Sequence, residues 1–303
     1  MSARQLLKAA IERGLLLSGL PGISGWRRRS DVLILAYHNV IPDGERAVGD
    51  SSLHLPRNTF AAQLDALLET HAVIPLDDAL TDGSRHSNRP RVVITFDDAY
   101  RGAVNAGVAE LASRGIPATI FVPPALLNDG VFWWDALTPP GKPGLEPEFR
   151  SHALEHMAGK GSAILGEAAM HAVERIPSFA RGASEDELRR AAATPGITLA
   201  SHSWSHPNLA ALAPAELEDE LTRPLAWLRE RFDGVLPYLS YPYGLSSPAV
   251  ERAAANAGYR AGLRIDGGRL RGEPVHRYAI PRLNVPAGLS DAGFRLRCAG
   301  LLR

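Results

Sequence analysis

Residues 91–100 read RVVITFDDAY. The run from Val92 to Phe96 is β-branched or aromatic, with no polar residue alternating along it, which predicts a strand buried on both faces. Strands of that kind belong to parallel sheets covered by helices. Asp97 and Asp98 follow at the strand's C-terminal end, where the functional groups of parallel α/β folds gather. Two adjacent carboxylates there repel each other unless a cation offsets the charge. The plainer alternative is a solvated pair capping the next helix.

Working outward, further strands are expected at 32–37, 118–122, 197–200, 235–241, 259–263 and 278–283. Helices are expected at 59–69, 103–113, 185–193, 214–232 and 247–257, with Thr59 as an N-cap and Gly115 and Pro117 ending the second. The alternation implies a parallel sheet with right-handed crossovers. Seven strands fit either an open sheet or an irregular closed barrel, and periodicity leaves both open. Between the third and fourth strands lie about 70 residues, far more than an ordinary loop. Residues 125–195 are therefore read as an insertion over the site. Residues 31–303 form the expected main domain, and residues 1–30 an amphipathic helix with a basic linker.

Lysine plus arginine number 33, as do aspartate plus glutamate, so the formal charge is zero. That excludes a general nucleic-acid binder, which carries a basic excess. The one cysteine, Cys298, excludes an intramolecular disulfide and any thiolate cluster. A metal therefore has to sit on histidine or carboxylate. Residues 14–23 are apolar but lack a cleavage signal, and no stretch reaches the roughly 18 residues of a membrane span. The expected location is cytoplasmic. Leu6, Leu7, Ala10, Ile11, Leu15 and Leu17 share a helical face, and Arg27, Arg28 and Arg29 follow it. They read either as a helix packed on the domain or as peripheral attachment of residues 3–29 to the inner membrane.

Two more segments carry chemistry. His202-Ser-Trp-Ser-His206-Pro207 spaces two imidazoles to reach one ion, as against two surface histidines beside a core tryptophan. Leu239-Ser-Tyr-Pro-Tyr-Gly244 predicts a turn after a strand, where backbone N–H groups face a site as oxyanion donors. His152, Glu155 and His156 match the spacing of inverted zincins, but with no strand before them the match is weak.

Taken in order, TFDDA at 95–99, HSWSH at 202–206 and YPYG at 241–244 resemble the polysaccharide deacetylase family, the carbohydrate esterases that act on chitin, peptidoglycan and exopolysaccharides. LAYHNV at 35–40, FAAQL at 60–64, FWWD at 132–135 and IPRLNV at 280–285 resemble its exopolysaccharide branch. The resemblance spans roughly residues 31–285 and implies an irregular parallel (β/α) barrel. It also implies a hydrolase that removes N-acetyl groups from a glycan and releases acetate. Asp98, His202 and His206 would hold a divalent metal, most commonly zinc, with Co2+, Ni2+ or Fe2+ as alternatives. Asp97 would be the general base and the Tyr243 backbone N–H an oxyanion donor.

Two departures stand out. The first motif usually ends in glycine, where this chain has Ala99, a small change if φ is negative there. The third usually begins with an arginine that pairs with the base, and here Ser240 occupies that place. Arg282 is the expected substitute, and His38, rather than His276, the expected general acid. Trp133, Trp134, Trp204 and Tyr241 are candidate sugar-stacking residues, with at least one ring of the Trp133–Trp134 pair expected to face the cleft. Rival readings are an O-acetyl esterase or peptidoglycan deacetylase on the same site, a degenerate glycan-binding barrel, and a peptidase built on His152, Glu155 and His156.

Overall fold

The computed structural model describes residues 3–28, 30–81, 88–168, 176–272 and 276–302. Arg29 of the basic cluster lies outside them, as do residues 169–175 of the expected insertion.

The all-apolar run at 91–96 does form a strand buried along its whole length. It is β5 in the series β1 (Asp31–Tyr37), β2 (Asn39–Ile41), β3 (His54–Pro56), β4 (Ala72–Val73), β5 (Arg91–Phe96), β6 (Ala118–Val122), β7 (Ile197–Ser201), β8 (Tyr238–Ser240), β9 (Ala261–Leu263), β10 (Leu270–Arg271) and β11 (Leu283–Asn284). The main sheet runs β10-β1-β5-β6-β7-β8-β9. All neighbours are parallel except β1 and β10. Ile280 bridges to Leu263 of β9, and β11 pairs with β1 through Leu35–Leu283 and Ala36–Asn284. The segment 280–284 thus joins the two ends of the curled sheet, and the architecture is the irregular (β/α) barrel.

Three expectations are corrected. The last strand is not continuous over 278–283: Pro281 cannot donate to a ladder, so pairing is confined to Ile280 and then to β11. Arg282 sits between these two pairings. The strands expected from 235 and from 259 begin later, at Tyr238 and Ala261, and β2, β3, β4 and β10 are too short to leave a periodic signal. The helix expected at 59–69 spans Arg57–Thr70 with Pro56 at its N-cap, so Thr59 lies inside the first turn.

The other helical ends follow local chemistry. Ser184 and Glu187 form a reciprocal capping box on Glu185–Ala192. Ser247 caps Pro248–Asn256. Gly115, at φ +62°, ends the helix after Ser113. Helices Ala3–Leu17 and Leu20–Arg27 precede the barrel, and the first packs beside the C-terminal helix Asp291–Cys298. Among the described residues no helix is long and apolar enough to cross a membrane.

Candidate active site

Parallel strands bring their C-terminal ends to one rim, and β5, β7 and β8 deliver three of the segments singled out above. A cavity of about 310 Å³ opens there, lined by His38, Asp97, Asp98, His202, His206 and Tyr243.

Asp97 and Asp98 are both almost fully buried, at 1% and 2% exposure. Their surroundings differ. The Asp97 carboxylate accepts two hydrogen bonds from Arg282, Nη1 to Oδ1 and Nη2 to Oδ2, each 2.8 Å. Ser240 Oγ donates to Oδ2 at 3.1 Å and accepts from Arg282 Nη2 at 2.7 Å. Arg282 Nη1 also donates to Thr95 Oγ1, and Nε to the Arg264 carbonyl. The guanidinium is wholly buried. It lies on the carboxylate beside Ser240, the position where the resemblance anticipates an arginine. Burial raises the Asp97 pKa, but the charge of Arg282 and then of His202 outweighs it, so the net shift is downward.

Asp98 faces two imidazoles. Its Oδ1 lies 3.2 Å from His206 Nε2 and 3.5 Å from His202 Nε2. These three ligand atoms lie within 4.8 Å of one another, the single such cluster among the described residues. His202 Nδ1 sits 2.8 Å from the Ser240 carbonyl, which has no proton to give. Nδ1 therefore carries the hydrogen and Nε2 turns its lone pair toward Asp98, the usual arrangement of a ligating histidine. Asp98 Oδ1 and His206 Nδ1 are buried without a directed hydrogen bond. An orphaned carboxylate oxygen between two imidazole nitrogens fits a divalent cation: three N and O donors with room for a further ligand. Burial raises the Asp98 pKa, yet its contacts with His202 and His206 hold it well below the carboxylate range. Burial lowers the His202 pKa, and the charges of Asp97 and Asp98 more than reverse this. For His206 burial prevails and the pKa falls.

The His202–His206 loop is held in strained backbone. Asp98, Ala99, Ser203, His206 and Tyr243 account for five of the eight non-glycine residues with positive φ among the described residues. Each such residue costs about 1–3 kcal/mol and persists where its neighbours over-determine it. Ser203 Oγ accepts from the His206 N–H. Glu220 Oε2 accepts from the N–H groups of Trp204 and Ser205 at 2.9 Å. Ala99 has φ +51°, so the condition of a negative φ is not met and the alanine is strained where a glycine would not be.

His38 follows β1 and lines the cavity. Burial lowers its pKa against the pull of Asp98 and Asp97. His276 is exposed, beside Glu251 at 3.3 Å, and away from the cavity. Tyr243 packs its ring on His206 at 4.6 Å, while its OH accepts from Trp133 Nε1 and donates to the Gly159 carbonyl.

The aromatic expectations need correction. Tyr241 is fully buried and its OH donates to the Tyr278 carbonyl, so it cannot meet a sugar. Trp204 carries the Arg223 guanidinium 3.6 Å over its ring and lines neither the cavity nor the adjoining groove. Trp133 and Trp134 are both buried, at 2% and 3% exposure, with their rings nearly perpendicular. They bury together because each indole N–H finds a phenol oxygen, Trp133 on Tyr243 and Trp134 on Tyr100. Their edges still border a groove of about 560 Å³ beside His206, and Trp134 also lines the site cavity, as expected of one ring of the pair. His152 and Glu155 are exposed on the helix Pro147–Glu155, with His156 just beyond it, and they form no metal cluster.

Several site residues escaped sequence reasoning. Asp50 and Arg150 form an ion pair at 2.7 Å on the cavity wall, with Arg150 coming from the 125–195 interval. Asn284 lines the cavity with its Oδ1 unpartnered, and only its place in IPRLNV pointed to it. A buried chain runs from Asn39 to His54, Asp135, Tyr100 and Trp134, whose ring lies 5.0 Å from His206.

The model of the polysaccharide deacetylase family matches residues 84–262, more than half of the chain and including both metal-site segments. The chain belongs to the polysaccharide deacetylase family. A Bacillus subtilis (strain 168) protein, YxkH, assigned by name to these deacetylases, is 23% identical over 265 residues, covering 86% of this chain and 74% of its own. A Streptococcus pyogenes deacetylase, PplD, in complex with acetate superposes with a TM-score of 0.61 at 14% identity, covering 90% and 98%. A de-N-acetylase from Aggregatibacter actinomycetemcomitans gives 0.63 at 15% identity, covering 88% and 99%. These two structures share the barrel. Family membership makes the protein a carbohydrate deacetylase, from a family that is generally metal-dependent.

Proposed function

We propose that the protein is a divalent-metal-dependent hydrolase that removes N-acetyl groups from an N-acetylglucosamine-type exopolysaccharide or oligosaccharide and releases acetate. The observation that carries this reading is the buried Asp98–His202–His206 cluster beside an Arg282-held Asp97 in an open strand-end cavity. The similarity to a de-N-acetylase points the same way.

Zinc is the proposed ion, since two imidazoles and a carboxylate with an open position are a common catalytic zinc set. When bound, it supplies Lewis acidity to a carbonyl oxygen and to water. Asp97 takes the proton of the attacking water at Oδ1, the oxygen that accepts a single hydrogen bond. The Arg282 fork keeps this buried carboxylate ionised and fixes its plane, so its contribution is orientation more than basicity. The Tyr243 backbone N–H donates to the carbonyl oxygen as charge develops on it. His38 delivers the proton to the leaving nitrogen. Its lowered pKa leaves it neutral at the outset, so the proton it delivers is the one that Asp97 took from the water.

The test is acetate release from N-acetylglucosamine oligomers against acetylated xylan, with metal content measured in parallel. Zinc-dependent release from the oligomers, abolished by a chelator and restored by zinc, is expected. Preference for the xylan ester, or undiminished release from a metal-free preparation, overturns the reading.

A further inference from the structure

The two N-terminal helices bury only part of their apolar surface against the barrel. A surface helix ordinarily buries its apolar stripe and exposes its charges. Of the described side chains of the helix Ala3–Leu17, the one fully buried is Glu12, at 5% exposure, which accepts from Ser290 Oγ at 2.6 Å, while Leu15 and Leu16 are partly buried. The second helix is tied down by Ser24 Oγ, which donates to the Ala299 carbonyl. Leu7, Ile11, Leu17, Leu20 and Ile23 are instead 44–79% exposed. They are five of the eight exposed large apolar side chains among the described residues, gathered within residues 7–23.

The arrangement is directional. At 3.6 residues per turn, Leu7 and Leu17, five residues to either side of Glu12, project about 140° away from it. Leu7 and Leu17 therefore point away from the barrel, whereas Leu16 faces it beside Leu67 and Phe294. Glu12 is the only acidic residue of 3–28, while Lys8, Arg13 and Arg27 are exposed. The exposed charges of residues 7–27 are therefore all positive, with Lys8 paired to Glu12 at 3.7 Å. At 15 and 8 residues the helices are shorter than the roughly 20 residues that cross a bilayer.

We propose that residues 7–27 form a docking surface for an anionic phospholipid bilayer. The helices lie in the plane of the interface. Leu7, Ile11, Leu17, Leu20 and Ile23 enter the headgroup–acyl boundary, and Arg13 and Arg27 meet the lipid phosphates. This surface stands independently of the deacetylase site.

The test is co-sedimentation of the full chain with vesicles of phosphatidylcholine alone or mixed with phosphatidylglycerol. Binding to the anionic vesicles is expected to be at least tenfold tighter than to phosphatidylcholine and to weaken at high salt. The triple variant L7E/I11E/L17E should lose at least tenfold in vesicle affinity, with its melting temperature and acetate release unchanged. A second variant, R13E/R27E, should lose the preference for phosphatidylglycerol and decides the matter if the first fails to fold. No binding to anionic vesicles, or wild-type binding by the variants, overturns the proposal. So does a concentration-dependent dimer abolished by L7E/I11E/L17E in a chain that ignores vesicles, since the patch would then belong to a second copy.

Discussion

Asp97 and Asp98 are neighbours in sequence and equally buried, yet they live in opposite electrostatic regimes. Asp97 is saturated: a bidentate guanidinium and a serine hydroxyl occupy both its oxygens. Asp98 is unsaturated: its Oδ1 and the His206 Nδ1 have no directed hydrogen bond. A buried carboxylate needs compensation, so the first carries its counter-charge within the chain and the second leaves a place for one. Adjacent residues can diverge this far because a β-strand's side chains alternate in direction and the positive φ of Asp98 turns the chain sharply.

The strongest way to break this contrast is on the unsaturated side. Asp98→Ala or His202→Ala should remove bound zinc and lower kcat by about a thousandfold or more, the several kcal/mol that a Lewis-acidic ion contributes. Stoichiometric metal in either variant, measured by atomic emission, contradicts the assignment. On the saturated side, Asp97→Asn should keep its metal and lose about 100- to 10,000-fold in kcat. Equal metal loss in Asp97→Asn and Asp98→Ala would erase the distinction between the two carboxylates.

Arg282→Met probes the saturated half through stability. Leaving Asp97 buried and unpaired should cost about 3–5 kcal/mol in urea denaturation. Adding Asp97→Asn should recover part of that loss, because the stranded charge disappears. A double variant as unstable as Arg282→Met shows that the arginine acts through packing on Phe121 rather than through the ion pair. The smallest effect belongs to Ala99→Gly. Relief of about 1–2 kcal/mol of left-handed strain is offset by a lost buried methyl and a more flexible unfolded chain. The net change in stability should be within about 1 kcal/mol, with kcat unchanged; a large loss would show that the Ala99 methyl packs the Asp98 turn.

The legible part of the fold was its long-range rhythm. β5, β6 and β7 appear where their apolar runs place them, because central parallel strands are buried on both faces and write that burial into consecutive residues. The strands near the closure were read poorly. β10 and β11 have two residues each, and Pro281 interrupts the ladder between Ile280 and β11. In the site, Asp97, Asp98, His202 and His206 were legible because TFDDA, HSWSH and YPYG follow strand ends in the order that the family resemblance carries. Glu220, which holds the His202–His206 loop, was not, since a glutamate on a polar helical face looks like any solvated one. The Asn39–His54–Asp135–Tyr100–Trp134 chain was equally hidden, because His54 and Asp135 stand 81 residues apart.

By itself, then, the amino-acid sequence determined the strand–helix alternation, the exclusion of thiolate metal sites and the choice of Asp97, Asp98, His202 and His206 as the candidate site. The tertiary structure alone decided which distant groups complete them. It placed Arg282 on Asp97 across a 185-residue separation. It sealed Tyr241 in the barrel and buried both Trp133 and Trp134. It also turned Leu7 and Leu17 outward from a buried glutamate. The physical reason is common to all of these. Residue type and periodicity report how a segment meets water on average, whereas the partner of a buried charge, indole or hydroxyl is chosen by whatever the closed barrel brings within about 3 Å.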